Sequence, residues 1–180
     1  MLEIDTDRLN RVNFRACLAA LSRPGSKHQL MPFRDSALLA MASLMLYSEV
    51  GYHYDGELDF RLVEAITGGS RRCSTDADFL FADHVSVPLL KDAKKGDHEN
   101  PERGATLIFS VKNLVDGPLV LLEGPGIDGQ RSAIMPVDEH FLEVFNHKNR
   151  EFPCGVEVFF VSHQGELVAL SRTTRMGKAS

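Results

Sequence analysis

From Thr6 onward, apolar residues recur at spacings of three and four. Leu9, Val12, Phe14, Cys17, Leu18 and Leu21 predict one face of a helix that Thr6 can cap. Pro24 disfavours helical geometry at Arg23, so this helix is expected to stop near Ser22, with Gly25 free to turn the chain. Ala37 to Leu46 is apolar all round except at Ser43, the pattern of a buried helix started by Asp35 or Ser36 and running to about Tyr47. A short extended piece, Val50 to Tyr54, leads to a third helix on which Leu58, Leu62, Ala65 and Ile66 share a face, ended by Gly68-Gly69. Phe79 to Ala82 reads as a buried strand, and Ser86 with Pro88 as the start of a short helix. The polar run Lys91 to Arg103 reads as a loop. Ala105 to Val111 and Leu119 to Leu122 are strands joined through Asp116-Gly117. Asp138 to His147, carrying Phe141, Leu142 and Phe145, is the last helix. Val156 to Val161 and Leu167 to Leu170 form a hairpin around Gln164-Gly165.

Helices interleaved with short buried strands predict an α/β fold with a β-sheet flanked by helices. Two connections look too short for parallel crossovers, so the sheet is expected to be mixed. With no internal repeat or linker, residues 1–180 read as a single domain. Its 180 residues suffice to bury one core, and 43% hydrophobic with 25% charged residues is ordinary for a globular chain. A net charge of -5 argues against a general nucleic-acid binder but leaves room for a local basic site. The Ala37–Leu46 run falls short of the roughly 20 residues a membrane span needs. Glu3, Asp5 and Asp7 stand where a secretory leader would be basic and then apolar, so a cytoplasmic location is expected. Cys17, Cys73 and Cys154 lack Cys-x-x-Cys spacing and fit reduced, structural thiols.

The candidate chemistry is anionic. Arg15, Arg23, Arg103, Arg172 and Arg175 sit at or near turns and element ends, where side chains from separate parts of a sheet can converge. A guanidinium matches a pair of phosphate or phosphonate oxygens and stays charged. Each also has a purely architectural reading: Arg23 follows a helix C-terminus, where a cation is favourable, and Arg15 can pair with Asp7. Thr173 and Thr174 add hydroxyls, and the backbone of Gly124-Pro125-Gly126 offers either amides to a ligand or a stabilised turn. No phosphate-binding loop of the Gly-x4-Gly-Lys-Ser/Thr type occurs. The seven histidines contain no His-x-His or His-x-x-x-His. His140 and His147 lie two helical turns apart, about 10 Å, so no metal site is expected. No cysteine has an identifiable base beside it; Asp97 or Glu102 would be the general base if the chain were a self-sufficient transferase or hydrolase.

Four segments in order carry a resemblance. They are Phe14-Arg15 leading to Leu21-Ser22-Arg23-Pro24-Gly25, the loop Pro101-Glu102-Arg103-Gly104-Ala105-Thr106-Leu107, the turn Gly124-Pro125-Gly126-Ile127, and Arg172-Thr173-Thr174-Arg175. Gly96-Asp97 and Gly155-Val156 accompany them. Together they resemble the H subunit of the bacterial carbon–phosphorus lyase system, the PhnH family, over about Phe14 to Arg175. Two positions depart from its pattern: Glu157 stands where an Asp is expected, and Ser171 where a Pro often precedes Arg-Thr-Thr. The resemblance implies a domain similar in shape to the large domain of pyridoxal-phosphate-dependent transferases, without that or any other cofactor. It implies a homodimer in isolation and the G, I, J, K and L subunits as partners. It also implies a required, non-catalytic role with G, I and L in forming ribose 1-methylphosphonate 5-triphosphate from ATP and methylphosphonate, after which the J subunit breaks the carbon–phosphorus bond. A purely scaffolding subunit with no ligand is the remaining alternative; it would spend its arginines on contacts within the chain.

Overall fold

Strand residues that alternate between two apolar faces divide the molecule into two cores. In the computed structural model, which describes residues 6–179, β1 (His28–Gln29), β2 (Gly51–Asp55), β3 (Ser70–Arg71), β4 (Phe79–Ala82), β5 (Thr106–Val111), β8 (Glu157–Ser162) and β9 (Glu166–Leu170) form a seven-stranded sheet ordered β1-β9-β8-β5-β4-β2-β3. Glu3 and Asp5, read above against a leader, lie outside the described residues. The run from β8 to β3 is parallel, while β9 pairs antiparallel with both β8 and β1, so the sheet is mixed as expected.

The centre of this sheet is covered on both sides, which is why β4, β5 and β8 read as nearly unbroken apolar runs. Phe81, Ile108, Phe159 and Val161 point into one core with α1 (Thr6–Ser22), α2 (Ala37–Met45) and α3 (Arg61–Thr67). Leu80, Leu107, Phe109, Val158 and Phe160 point into the other. There they meet α4 (Val87–Asp92), α5 (Glu139–Lys148) and a second, antiparallel sheet of β6 (Leu119–Glu123), β7 (Arg131–Ile134) and β10 (Arg175–Lys178), ordered β10-β6-β7.

Helix starts follow their caps. The side chains of Ser36, Ser86 and Asp138 accept from the backbone N–H of Leu39, Leu89 and Phe141. Gly68 closes α3 in the left-handed conformation.

Several sequence expectations are corrected. α1 ends at Ser22 as expected, but its buried residues are Leu9, Asn13, Cys17 and Ala20, whereas Val12, Phe14 and Leu18 face outward. Asn13 holds the inward position because its amide both donates to Met31 O (2.9 Å) and accepts from Met31 N (2.8 Å). In α3 the buried residue is Val63 and Ile66 is exposed, while Leu58 lies ahead of the helix and is also exposed. Lys91–Arg103 is not all loop, since α4 reaches Asp92 and Pro101–Arg103 is a 3-10 turn. The strands on either side of Asp116-Gly117 do not pair; β5 belongs to the large sheet and β6 to the small one.

Candidate functional site at the junction of the two sheets

Between β9 and β10, residues Ser171–Thr174 carry the chain from the large sheet to the small one. Around this strap the structure gathers the four segments singled out in the sequence. Arg172, mostly buried, donates from a terminal guanidinium nitrogen to Pro101 O (2.6 Å), and its Nε lies 3.5 Å from Glu157 Oε1. It therefore clamps the Pro-Glu-Arg turn to the start of β8, and the Glu that departs from the family pattern supplies the counter-charge. Arg175 donates to Thr174 O (3.1 Å) and to Asn149 O (2.7 Å), satisfying a carbonyl at the end of α5. Thr174 is fully buried, with its hydroxyl 2.9 Å from Ser171 Oγ, which also lies 3.0 Å from Thr173 Oγ1. Arg172, Thr173 and Thr174 of the strap, and Arg175 at the start of β10, are thus engaged within the chain.

The glycine turn is the joint on the other side. Gly126 has φ +84, and a Cβ there would lie 2.0 Å from Ser22 O at the end of α1. Gly124, at φ +135, would place a Cβ 2.7 Å from Thr173 O. One glycine lets the end of α1 approach and the other lets the strap approach, so the turn works as a spacer-free contact between backbones. Arg131 ties the same region together by donating to Pro24 O (3.0 Å).

The other candidates lie at the rim. Arg15, Arg23 and Arg103 are exposed, and Arg15 makes no hydrogen bond or ion pair, with Asp7 or otherwise, among the described residues. The Arg23 charge adds to burial in holding His28 below its usual range. Asp97 is exposed; its Oδ1 accepts from the N–H of Asn100 (2.7 Å) and of Glu99 (2.9 Å). Hydrogen bonds from Asn100 lead in holding its carboxyl below the ordinary carboxylate range, which makes it a poor proton acceptor and a good turn former.

Asn149 was not singled out in the sequence, and it is the hub of the junction. It is fully buried, accepts from Val156 N (2.7 Å), and donates to Val156 O (3.2 Å), joining the end of α5 to the entry of β8. The available signal was its place just past an amphipathic helix, where Asn commonly closes the last turn.

The junction sits at the N-terminal ends of β5 and β8. At the opposite, C-terminal ends lies a cleft of about 400 Å³ whose lining includes Asp83, Ser110, Ser162, His163 and the N-terminus of α2. In open α/β sheets this is the end at which ligand crevices form. Asp83 there accepts from Tyr54 Oη (2.8 Å) and Glu57 N (2.9 Å). No group of three or more His, Cys, Asp or Glu that could hold a metal occurs among the described residues. Burial pushes the Cys17 thiol up to about 12, so this cysteine is not a ready nucleophile.

No helix of the structure is long and apolar enough to cross a membrane. The family model for the bacterial phosphonate metabolism protein PhnH matches residues 6–177, which takes in all four segments of the junction. A protein of Stutzerimonas stutzeri named as a C-P lyase subunit protein, HtxG, is 31% identical over 169 residues, covering 91% of this chain and 83% of the relative. With part of each of the four segments meeting at the junction and the match running almost end to end, the chain belongs to the PhnH family of bacterial phosphonate metabolism proteins.

Proposed function

We propose that this chain is a required, non-catalytic subunit of a carbon–phosphorus lyase system, acting with G, I and L partners in forming ribose 1-methylphosphonate 5-triphosphate from ATP and methylphosphonate. The observation that carries this reading is the family match over residues 6–177, supported by a relative that bears the name of a C-P lyase subunit. The non-catalytic part draws support from the junction. Arg172 and Arg175, the pair best suited to grip an oxyanion, are occupied by Pro101 O, Glu157 and backbone carbonyls, and Asp97 is held low by its own loop. The same reading carries a cytoplasmic location, a homodimer when isolated, J and K as further partners, and a likeness in shape to the large domain of pyridoxal-phosphate transferases. The seven-stranded sheet with a parallel centre supports that last point.

The test is complementation. A strain lacking this subunit should recover growth on methylphosphonate as sole phosphorus source when the gene is restored, and the tagged chain should copurify with the other subunits. Turnover of ATP and methylphosphonate by the purified chain alone would replace this reading with a self-sufficient transferase. Growth without the chain would remove it.

A further inference from the structure

The large sheet changes its direction of travel between β2 and β4. From β2 the chain passes through α3 to β3 on one side, whereas from β4 it passes through α4 to β5 on the other, and α3 and α4 pack into opposite cores. Neighbouring strands that send their connections apart in this way leave a crevice beyond their C-terminal ends, and in open α/β sheets ligands bind there. The cleft of about 400 Å³ occupies that position: Leu58 comes from the loop after β2, Asp83 directly follows β4, and Ser110 and Ser162 come from the ends of β5 and β8. Asp35 stands at its lip after Arg34. These two are the non-glycine residues at positive φ (+60 and +47) among the described residues, a costly conformation that gathers at ligand sites.

The polar groups of this cleft have hydrogen-bonding capacity that the fold does not use. Ser110 Oγ forms no hydrogen bond among the described residues. Ser162, 1% exposed, accepts from Glu166 N (3.0 Å) and donates its own proton to no group among the described residues. Asp83 accepts once at each oxygen, from Tyr54 Oη and from Glu57 N, so each oxygen keeps a lone pair to spare. Two carboxylates, Asp35 and Asp83, line the cleft, no lysine or arginine does, and Leu38 and Leu58 supply apolar wall. That combination repels a phosphate. It suits an uncharged sugar, whose neighbouring hydroxyls donate to a carboxylate and accept from serines while its C–H face packs on leucine.

We propose that this cleft binds the nucleoside part of a small molecule, with the ribose cis-diol on Asp83, other polar atoms paired with Ser110 and Ser162, and the apolar faces against Leu38 and Leu58. A carboxylate on the ribose hydroxyls is the means by which other α/β crevices hold nucleosides. Any phosphates lie outside the cleft. The choice of adenosine as the nucleoside rests on the reading of this chain as a subunit that works with ATP, whereas the site rests on the sheet and its lining.

The experiment is isothermal titration of the purified chain with adenosine, 2′-deoxyadenosine and ATP. Adenosine is expected to bind at least about tenfold more tightly than 2′-deoxyadenosine, because a carboxylate placed for a hydroxyl is left unpaired without it. ATP should bind no more tightly than adenosine. Ser110→Ala removes a hydroxyl that the fold does not use, so it should keep the wild-type melting temperature and weaken adenosine by about three- to tenfold. Asp83→Asn should flatten the preference for adenosine over 2′-deoxyadenosine whatever it does to stability, a change that a purely architectural aspartate would not produce. No heat with millimolar adenosine, equal binding of the two nucleosides, or ATP bound more than about tenfold tighter than adenosine would each overturn the nucleoside site. So would wild-type binding by Ser110→Ala together with wild-type discrimination by Asp83→Asn, which would put adenosine elsewhere on the chain. All of these results leave the subunit reading intact if the gene restores growth on methylphosphonate. A gene that fails to restore growth removes that reading, while the titration still decides the site.

Discussion

At the N-terminal ends of β5 and β8 the chain is laced through its own side chains, whereas at their C-terminal ends Ser110, Ser162 and His163 border an open cleft. The family segments lie at the first end and none of the cleft-lining residues belongs to them. A motif can therefore mark where backbones must meet as readily as where a ligand sits. Gly126 and Arg172 make contacts that a ligand-free protein needs.

The largest break in this comparison is expected at the glycine joint. Gly126→Val forces a β-branched residue into φ +84 and drives its Cβ into Ser22 O. It should cost about 3–4 kcal/mol in denaturant unfolding, while Gly129→Ala, whose Cβ would meet nothing within 4 Å, should cost far less. Equal losses would mean that the joint is not specially tight.

Arg172→Ala comes next. It strips Pro101 O of its donor and leaves Glu157 partly buried without its partner, so a loss of about 1–3 kcal/mol is expected from a chain that still folds. Glu157→Gln in the Arg172→Ala background should recover part of it, since a neutral amide tolerates the site better than an unpaired carboxylate. No loss in calorimetry would show the clamp to be idle.

The tyrosines of β2, beside α3, answer to alkali instead. Burial, with Glu64 beside it, pushes the Tyr52 phenol up to about 12, and burial with Asp83 raises Tyr54 as well. A phenol raised on folding holds its proton when the unfolded chain has lost it, so stability is full below the unfolded value near 10 and falls as pH climbs toward 12. A decline of about 1 kcal/mol between pH 10 and 11 is expected, and Tyr54→Phe should shallow it. A flat profile there would contradict the assignment.

The smallest effects belong to the rim. Arg23→Ala and Arg103→Ala should each change stability by less than about 0.5 kcal/mol, because their side chains are exposed and form no ion pair among the described residues. A large loss at either would move it from the rim into the clamp.

What could be read from the sequence depended on how local its cause was. Ser36, Ser86 and Asp138 announce their helices because a cap acts three residues away, and Phe79–Ala82 announces β4 because both of its faces are covered. β7 and β10 were invisible: Arg131–Ile134 and Arg175–Lys178 alternate weakly and become strands only because β6 lies between them. The turned face of α1 has the same origin, since Asn13 is inward only because Met31, 18 residues later, offers its backbone. At the site, the order of the segments was legible. Their convergence was not, because Arg172 meets Pro101 across 71 positions of chain.

The strand order also fixes when the protein can become a protein. β8 sits between β5 and β9, and β9 in turn holds β1, yet residues 157–170 follow every other strand of the large sheet. Until a ribosome has released them, β5 presents an unpaired edge carrying Leu107, Ile108 and Phe109, an apolar template open to any passing strand. A nascent chain of this family is thus most exposed to aggregation in the interval before β8 emerges, and a truncation ahead of β8 should leave inclusion bodies rather than a smaller folded domain.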